Sequence, residues 1–250
     1  MTEPPFAHLN RKPDPAKSRI EDPLGDFYVW WDAVPTQVVD EYELLLQTDP
    51  AERPMQKFLT DNPVLLVQHL GGGHGRWVIP EKRLGSEYRL DFAVGEAHSM
   101  GFDWTAVEIQ SPQAKFFVPS SNRTTADFDE AIRQIVEWRA WLKVNLDYAR
   151  RSRVDHGLGL TGIEPLTHGL IILGRERDVT VEIAERARGR VEGMNINVHT
   201  FDWLVREARR RIAELGPEKL AHMIAYSDGV TREAEARRAV ASGDQPDSSS

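Results

Sequence analysis

The chain has 250 residues, 40% of them hydrophobic, which is enough for one domain with a full core. Its formal net charge of −8 is not the strongly basic balance of a protein that coats nucleic acid, although a local groove sets the field at a site. There is no cysteine, which excludes disulfides, thiolate metal sites and cysteine nucleophiles. No apolar run reaches the ~20 residues of a membrane helix, so the reading is a soluble, cytoplasmic protein without a membrane partner.

Residues 1–24 are rich in proline and charge and are expected to form a loose arm. Trp30 and Trp31 can anchor the segment that follows. In 36–47, Val38, Val39, Tyr42, Leu45 and Leu46 recur at helical spacing, and a second helix is expected over 51–61, ended by Asn62-Pro63. The Gly71–Gly75 stretch lacks the Lys-Ser/Thr that completes a phosphate-binding loop and reads as a flexible turn. Strands are predicted over 76–79, 88–94 and 104–109. The strongest helix spans 126–145, with Phe128, Ala131, Ile132, Ile135, Trp138 and Leu142 on one face, so Trp138 and Trp141 read as core. Strands at 170–173 and 195–199 follow, then a helix capped by Thr200 and running to Leu215. One domain is expected over 25–226 and a disordered tail over 227–250. Antiparallel strands followed by a crossover helix and further strands predict an α/β (α+β) fold, a central mixed sheet flanked by helices.

On the strand over 88–94, Leu90, Phe92 and Val94 share one face while Arg89, Asp91 and Ala93 share the other. On the next strand Glu108 and Gln110 share a face with Trp104 and Ala106. If the strands pair, Asp91 and Glu108 lie side by side, where two carboxylates repel unless a cation sits between them. Hard oxygen ligands of this kind suit Mg²⁺ or Mn²⁺. The simpler reading of two acids alone is a solvated sheet face. The scattered histidines form no H-x-x-x-H pair for zinc. Arg186, Arg188 and Arg190, with Arg206, Arg209, Arg210 and Arg211, either bind phosphates or form solvated faces balanced by nearby glutamates.

The stretch Asp91-Phe92 followed by Ala106-Val107-Glu108-Ile109-Gln110 resembles the D-(x)n-(D/E)-x-K core of the PD-(D/E)XK phosphodiesterases. Glu52-x-x-x-Gln56-x-Phe58-Leu59 with Asn62-Pro63, the helix around Gln134-Ile135-Val136-Glu137-Trp138, Gly169–Gly174 and Thr200-Phe-Asp-Trp-Leu204 are similar, in order, to the C-terminal domain of the Shedu anti-phage defence proteins. The resemblance covers about 50–207. It implies a restriction-endonuclease-like core and a Mg²⁺- or Mn²⁺-dependent endonuclease or nickase acting on DNA, double-stranded or with free ends, in a homo-oligomer. It implies metal binding by Asp91, Glu108 and Glu52, with Gln134 facing the site from its helix. Gln110 stands where the pattern has lysine, so the neutral amide cannot supply that charge, and Lys115, Arg89 or Arg123 would have to, Lys115 first. The alternative is a nuclease-like module that has lost catalysis and serves in DNA binding or assembly.

Overall fold

The computed structural model describes residues 24–70, 75–84 and 88–242. The expected flexible turn at 71–74 and, apart from buried Leu24, the expected N-terminal arm lie outside them. In chain order the elements are α1 (Thr36–Gln47), α2 (Glu52–Asp61), β1 (Gly75–Pro80), β2 (Arg83–Leu84), β3 (Tyr88–Arg89), β4 (Phe92–His98), β5 (Gly101–Ile109), α3 (Ala126–Arg150), β6 (His168–Ile172), α4 (Val181–Arg190), β7 (Ile196–His199) and α5 (Phe201–Ser242). The main sheet has the order β1-β4-β5-β6-β7; β1, β4 and β5 pair antiparallel, and β5, β6 and β7 pair parallel. The mixed sheet with helices on both faces is the architecture the element order predicts. Parallel neighbours need a long crossover, and α3 is the crossover between β5 and β6.

Strand alternation sorts the core into two layers. Ala93, Trp104, Ala106 and Ile171 pack with Phe128, Ile132, Ile135 and Trp138 of α3. Val94, Val107, Ile109, Leu170 and Ile172 pack with Val39, Tyr42 and Leu46 of α1, Met55 and Leu59 of α2, and Phe201 and Leu204 of α5. Trp138 and Trp141 are core residues, 1% and 8% exposed. Gly169 lets α3 approach β6: a Cβ there would stand 2.9 Å from Ile135 Cδ1 and 3.0 Å from Ile196 Cγ1. Arg139, buried on α3, ties the two crossovers together. Its guanidinium donates to the carbonyls of Thr167 (2.6 Å), Met194 (2.6 Å) and Asn195 (2.8 Å), the residues just ahead of β6 and β7.

The segment before α1 belongs to the fold. Val29 N–H donates to Arg76 O at 2.9 Å, and Trp30 meets Tyr28 and Tyr226 edge-on. The Trp31 indole lies 4.6 Å from the guanidinium of Arg76 and 4.6 Å from that of Arg211, so these tryptophans do anchor it.

Three expectations need correction. The strand over 88–94 is broken. Glu81 N–H bonds Asp91 O and Leu90 N–H bonds Lys82 O, so β3 pairs with β2 in a separate ribbon and β4 starts at Phe92. Leu90 therefore packs in the α3 layer, not with Phe92 and Val94. The last helix does leave helical geometry after Leu215, at Gly216 (φ 73°), but Pro217 restarts it and it runs to Ser242, through much of the expected tail. Leu220, Met223 and Ser227 beyond the break are buried. Among the described residues no helix is long and apolar enough to cross a membrane.

Candidate active site

The β4–β5 register pairs Phe92 with Val107, which sets Asp91, the residue ahead of β4, beside Glu108. Glu108 points into the α3 side of the sheet and is 2% exposed. Asp91 is fixed on both oxygens: Oδ2 accepts from Ile109 N–H at 2.9 Å and Oδ1 from Gln56 Nε2 at 3.0 Å. The two carboxyl groups are close enough for each to act on the other's ionisation. Burial pushes the Glu108 carboxyl well above the usual carboxylate range, and the charge of Asp91 pushes it further. Burial raises Asp91 too, but the Ile109 N–H, the Glu108 hydrogen bond and the Arg89 charge pull it back. Of the two, Glu108 is the group that burial and its neighbour drive most strongly toward the neutral form.

Glu52 is the first residue of α2, with Ala51 at the N-cap. Asp49 pairs with Arg177 and, at 3.5 Å, with Arg175. Pro54 falls within the first helical turn, where its missing N–H has no intrahelical acceptor to lose. Burial raises the Glu52 carboxyl, as do the charges of Asp91 and Asp127. Glu130 acts on Glu108 in the same way. Asp127, Glu130 and Gln134 stand at i, i+3 and i+7 on α3 and so share the helix face turned to the acids. The Oε1 of Gln134 is buried and accepts no hydrogen bond.

Two of the three residues considered as sources of positive charge, Lys115 and Arg89, are held in ion pairs. Lys115 forms an ion pair with Asp178 at 2.5 Å, and Arg89 one with Glu81 at 3.0 Å. Arg89 is the one cation that acts on Asp91 among the causes of its shift. Arg123 is exposed in the loop before α3. Gln110 is half-buried, with its backbone N–H bonded to Ile172 O at 2.9 Å. The four arginines in the first part of α5 sit in ion pairs: Arg206 with Glu176, Arg209 with Asp40 and Glu43, Arg210 with Glu207 and Glu214, Arg211 with Glu214. On α4, Arg186 stacks 3.9 Å from the Phe117 ring centre and Arg190 pairs with Asp129. Arg188 on α4 forms no ion pair among the described residues.

Carboxylates are hard oxygen donors, and magnesium commonly takes one or two of them and keeps its waters. The Asp91–Glu108 pair fits such an ion. Among the described residues no three His, Cys, Asp or Glu side chains are set to hold one metal. Glu52 is brought near enough for its charge to act on Glu108 and for that of Asp91 to act on it, without the three forming one set. Sequence reading named Gln56 only as part of a motif, without a role at the site, and did not single out Asp127 or Glu130. The signal available was position: each lies within a helical turn or two of a residue already chosen.

Fold and site together define a mixed α/β domain compatible with a nuclease-like core, carrying a buried acid pair at the start of its fourth strand. The family described as Shedu protein SduA, C-terminal, matches residues 49–205, and the chain belongs to this family of anti-phage proteins. No curated protein matches the chain.

Proposed function

We propose that this protein is a divalent-metal-dependent phosphodiesterase that cuts DNA in anti-phage defence. The observation that carries the reading is the acid pair itself: buried Glu108 set beside half-buried Asp91 by the strand register, with the Asp91 oxygens held by Gln56 and the Ile109 N–H. Asp91 and Glu108 would hold Mg²⁺ or Mn²⁺, and a bound ion supplies Lewis-acid stabilisation at phosphorus and lowers the pKa of water. Gln56 and Ile109 N–H fix the direction of the Asp91 carboxylate. Glu52, with its raised pKa, is suited to take up a proton from water at the edge of the pair. Gln134 Oε1 is free to orient that water by accepting from it.

Gln110 in place of lysine, and the pairing of Lys115 with Asp178, favour a second reading: a module that keeps the acid pair but binds or assembles without cutting. Nicking of supercoiled plasmid in Mg²⁺ or Mn²⁺, with a chelator control and an Asp91→Ala/Glu108→Ala double variant, separates the two. Metal-dependent nicking that falls to background in the variant is the expected result. A folded wild type that leaves plasmid, linear and nicked DNA intact in both metals would move the assignment to the second reading.

A further inference from the structure

The ribbon of β2 and β3 carries a pairing that works against its own stability. Its register sets Arg83 directly opposite Arg89. Side chains so placed across antiparallel strands stand about 5 Å apart at Cβ, and like charges there repel. Alternation turns Leu84 and Tyr88 inward, where Leu84 is fully buried in the α3 layer, and leaves the two arginines on the outer face. Both are exposed. One carboxylate serves the two of them: Glu81 pairs with Arg89 at 3.0 Å. Arg83 forms no ion pair and no side-chain hydrogen bond among the described residues. An anion between the two guanidiniums turns the repulsion into attraction, and a phosphate has oxygens enough to accept a fork of N–H groups from each.

The ribbon ends at the acid pair. Glu81 N–H donates to Asp91 O at 2.8 Å, and Asp91 follows Arg89 by two residues, near enough for the arginine charge to act on the Asp91 carboxyl. We propose that Arg83 and Arg89 together clamp one backbone phosphate of a nucleic-acid strand whose adjoining phosphodiester lies at Asp91 and Glu108. The clamp rests on the phosphodiesterase reading, and it brings to the site positive charge that Gln110 does not. The Glu81–Arg89 pair is no obstacle. Both side chains are more than half exposed, and exposed ion pairs are weak, so a phosphate displaces the carboxylate easily.

The test is fluorescence anisotropy of a short labelled DNA duplex titrated with the full chain over a series of salt concentrations, with Ca²⁺ in place of Mg²⁺ so that binding is read apart from cutting. The expected result is that Arg83→Gln raises Kd about tenfold and lowers the slope of log Kd against log salt by about one, the share of a single phosphate. Arg89→Gln does the same, and the double variant loses little more than either single one, because the two arginines hold one group. Glu81→Gln frees Arg89 and tightens binding, a gain that a merely structural ribbon does not produce. Arg83→Gln also relieves the repulsion, so a melting temperature below wild type counts against the clamp. Wild-type Kd and salt slope in Arg83→Gln, or weaker binding in Glu81→Gln, would overturn the clamp and leave metal-dependent nicking untouched. Affinity lost in Arg83→Gln, from a chain that nicks in neither metal, would uphold the clamp and sink the cutting. A wild type that binds no DNA would overturn both.

Discussion

A glutamic acid with 2% of its surface exposed and a carboxylate for a neighbour can avoid charge by holding a proton or by sharing a cation. Burial and the charge of Asp91 drive Glu108 toward the protonated form. When folded and unfolded chains are compared, the unfolded one releases that proton first as the pH rises past the ordinary glutamate range, and the folded one keeps it. Stability therefore falls with rising pH until folded Glu108 ionises. Glu108→Gln keeps a donor toward Asp91 without the ionisation. Its melting temperature should exceed that of wild type by a few degrees at neutral pH, with the gap closing toward pH ~4. Added Mg²⁺ should narrow the gap by stabilising wild type alone. Thermal melts across pH check this, and parallel curves for the two proteins would rule out a protonated Glu108.

At the scale of elements, Arg139 shows how one side chain secures a topology. β6 and β7 enter the sheet in parallel from separate crossovers, and the carbonyls of Thr167, Met194 and Asn195 just ahead of them converge on one guanidinium. Arg139→Met leaves these carbonyls buried without donors and should cost about 3 kcal/mol or more in urea unfolding. Arg139→Lys should recover little, because an ammonium lacks the planar spread of donors. The alternation of β1, β4 and β5 and the stripe of α3 were legible in the sequence because period alone dictates them. Side-by-side placement of Asp91 and Glu108 followed from the same parity. The break at Asp91 was not legible, since it is made by backbone bonds from Glu81 and Lys82, and a chain that still alternates carries no sign of it. Nor were the ion pairs of Lys115 with Asp178 or Arg209 with Asp40, whose partners are remote in sequence. Helix past Gly216-Pro217 was misread because a breaker pair ahead of an Arg- and Ala-rich run marks a restart as readily as an end.

For the whole molecule, the layer of core opposite α3 is built in good part by residues ahead of the family match. Val29, Val34, Val39, Tyr42 and Leu46 are each 5% exposed or less, and all precede residue 49. At about 1.5–3 kcal/mol for each buried side chain, their loss approaches or exceeds the 5–15 kcal/mol that holds a domain folded. It would also bare Arg76, which is fully buried beneath Trp31. A chain beginning at residue 49 should therefore bind a hydrophobic dye and melt without a sharp transition, where the full chain melts cooperatively; a sharp transition in the shortened chain would show the layer to be dispensable. The stretch that recurs between relatives and the stretch that folds as a unit thus have different boundaries. A recombination point at the first, however natural it looks in an alignment, would cut through a cooperative body and deliver half of a core to its new host.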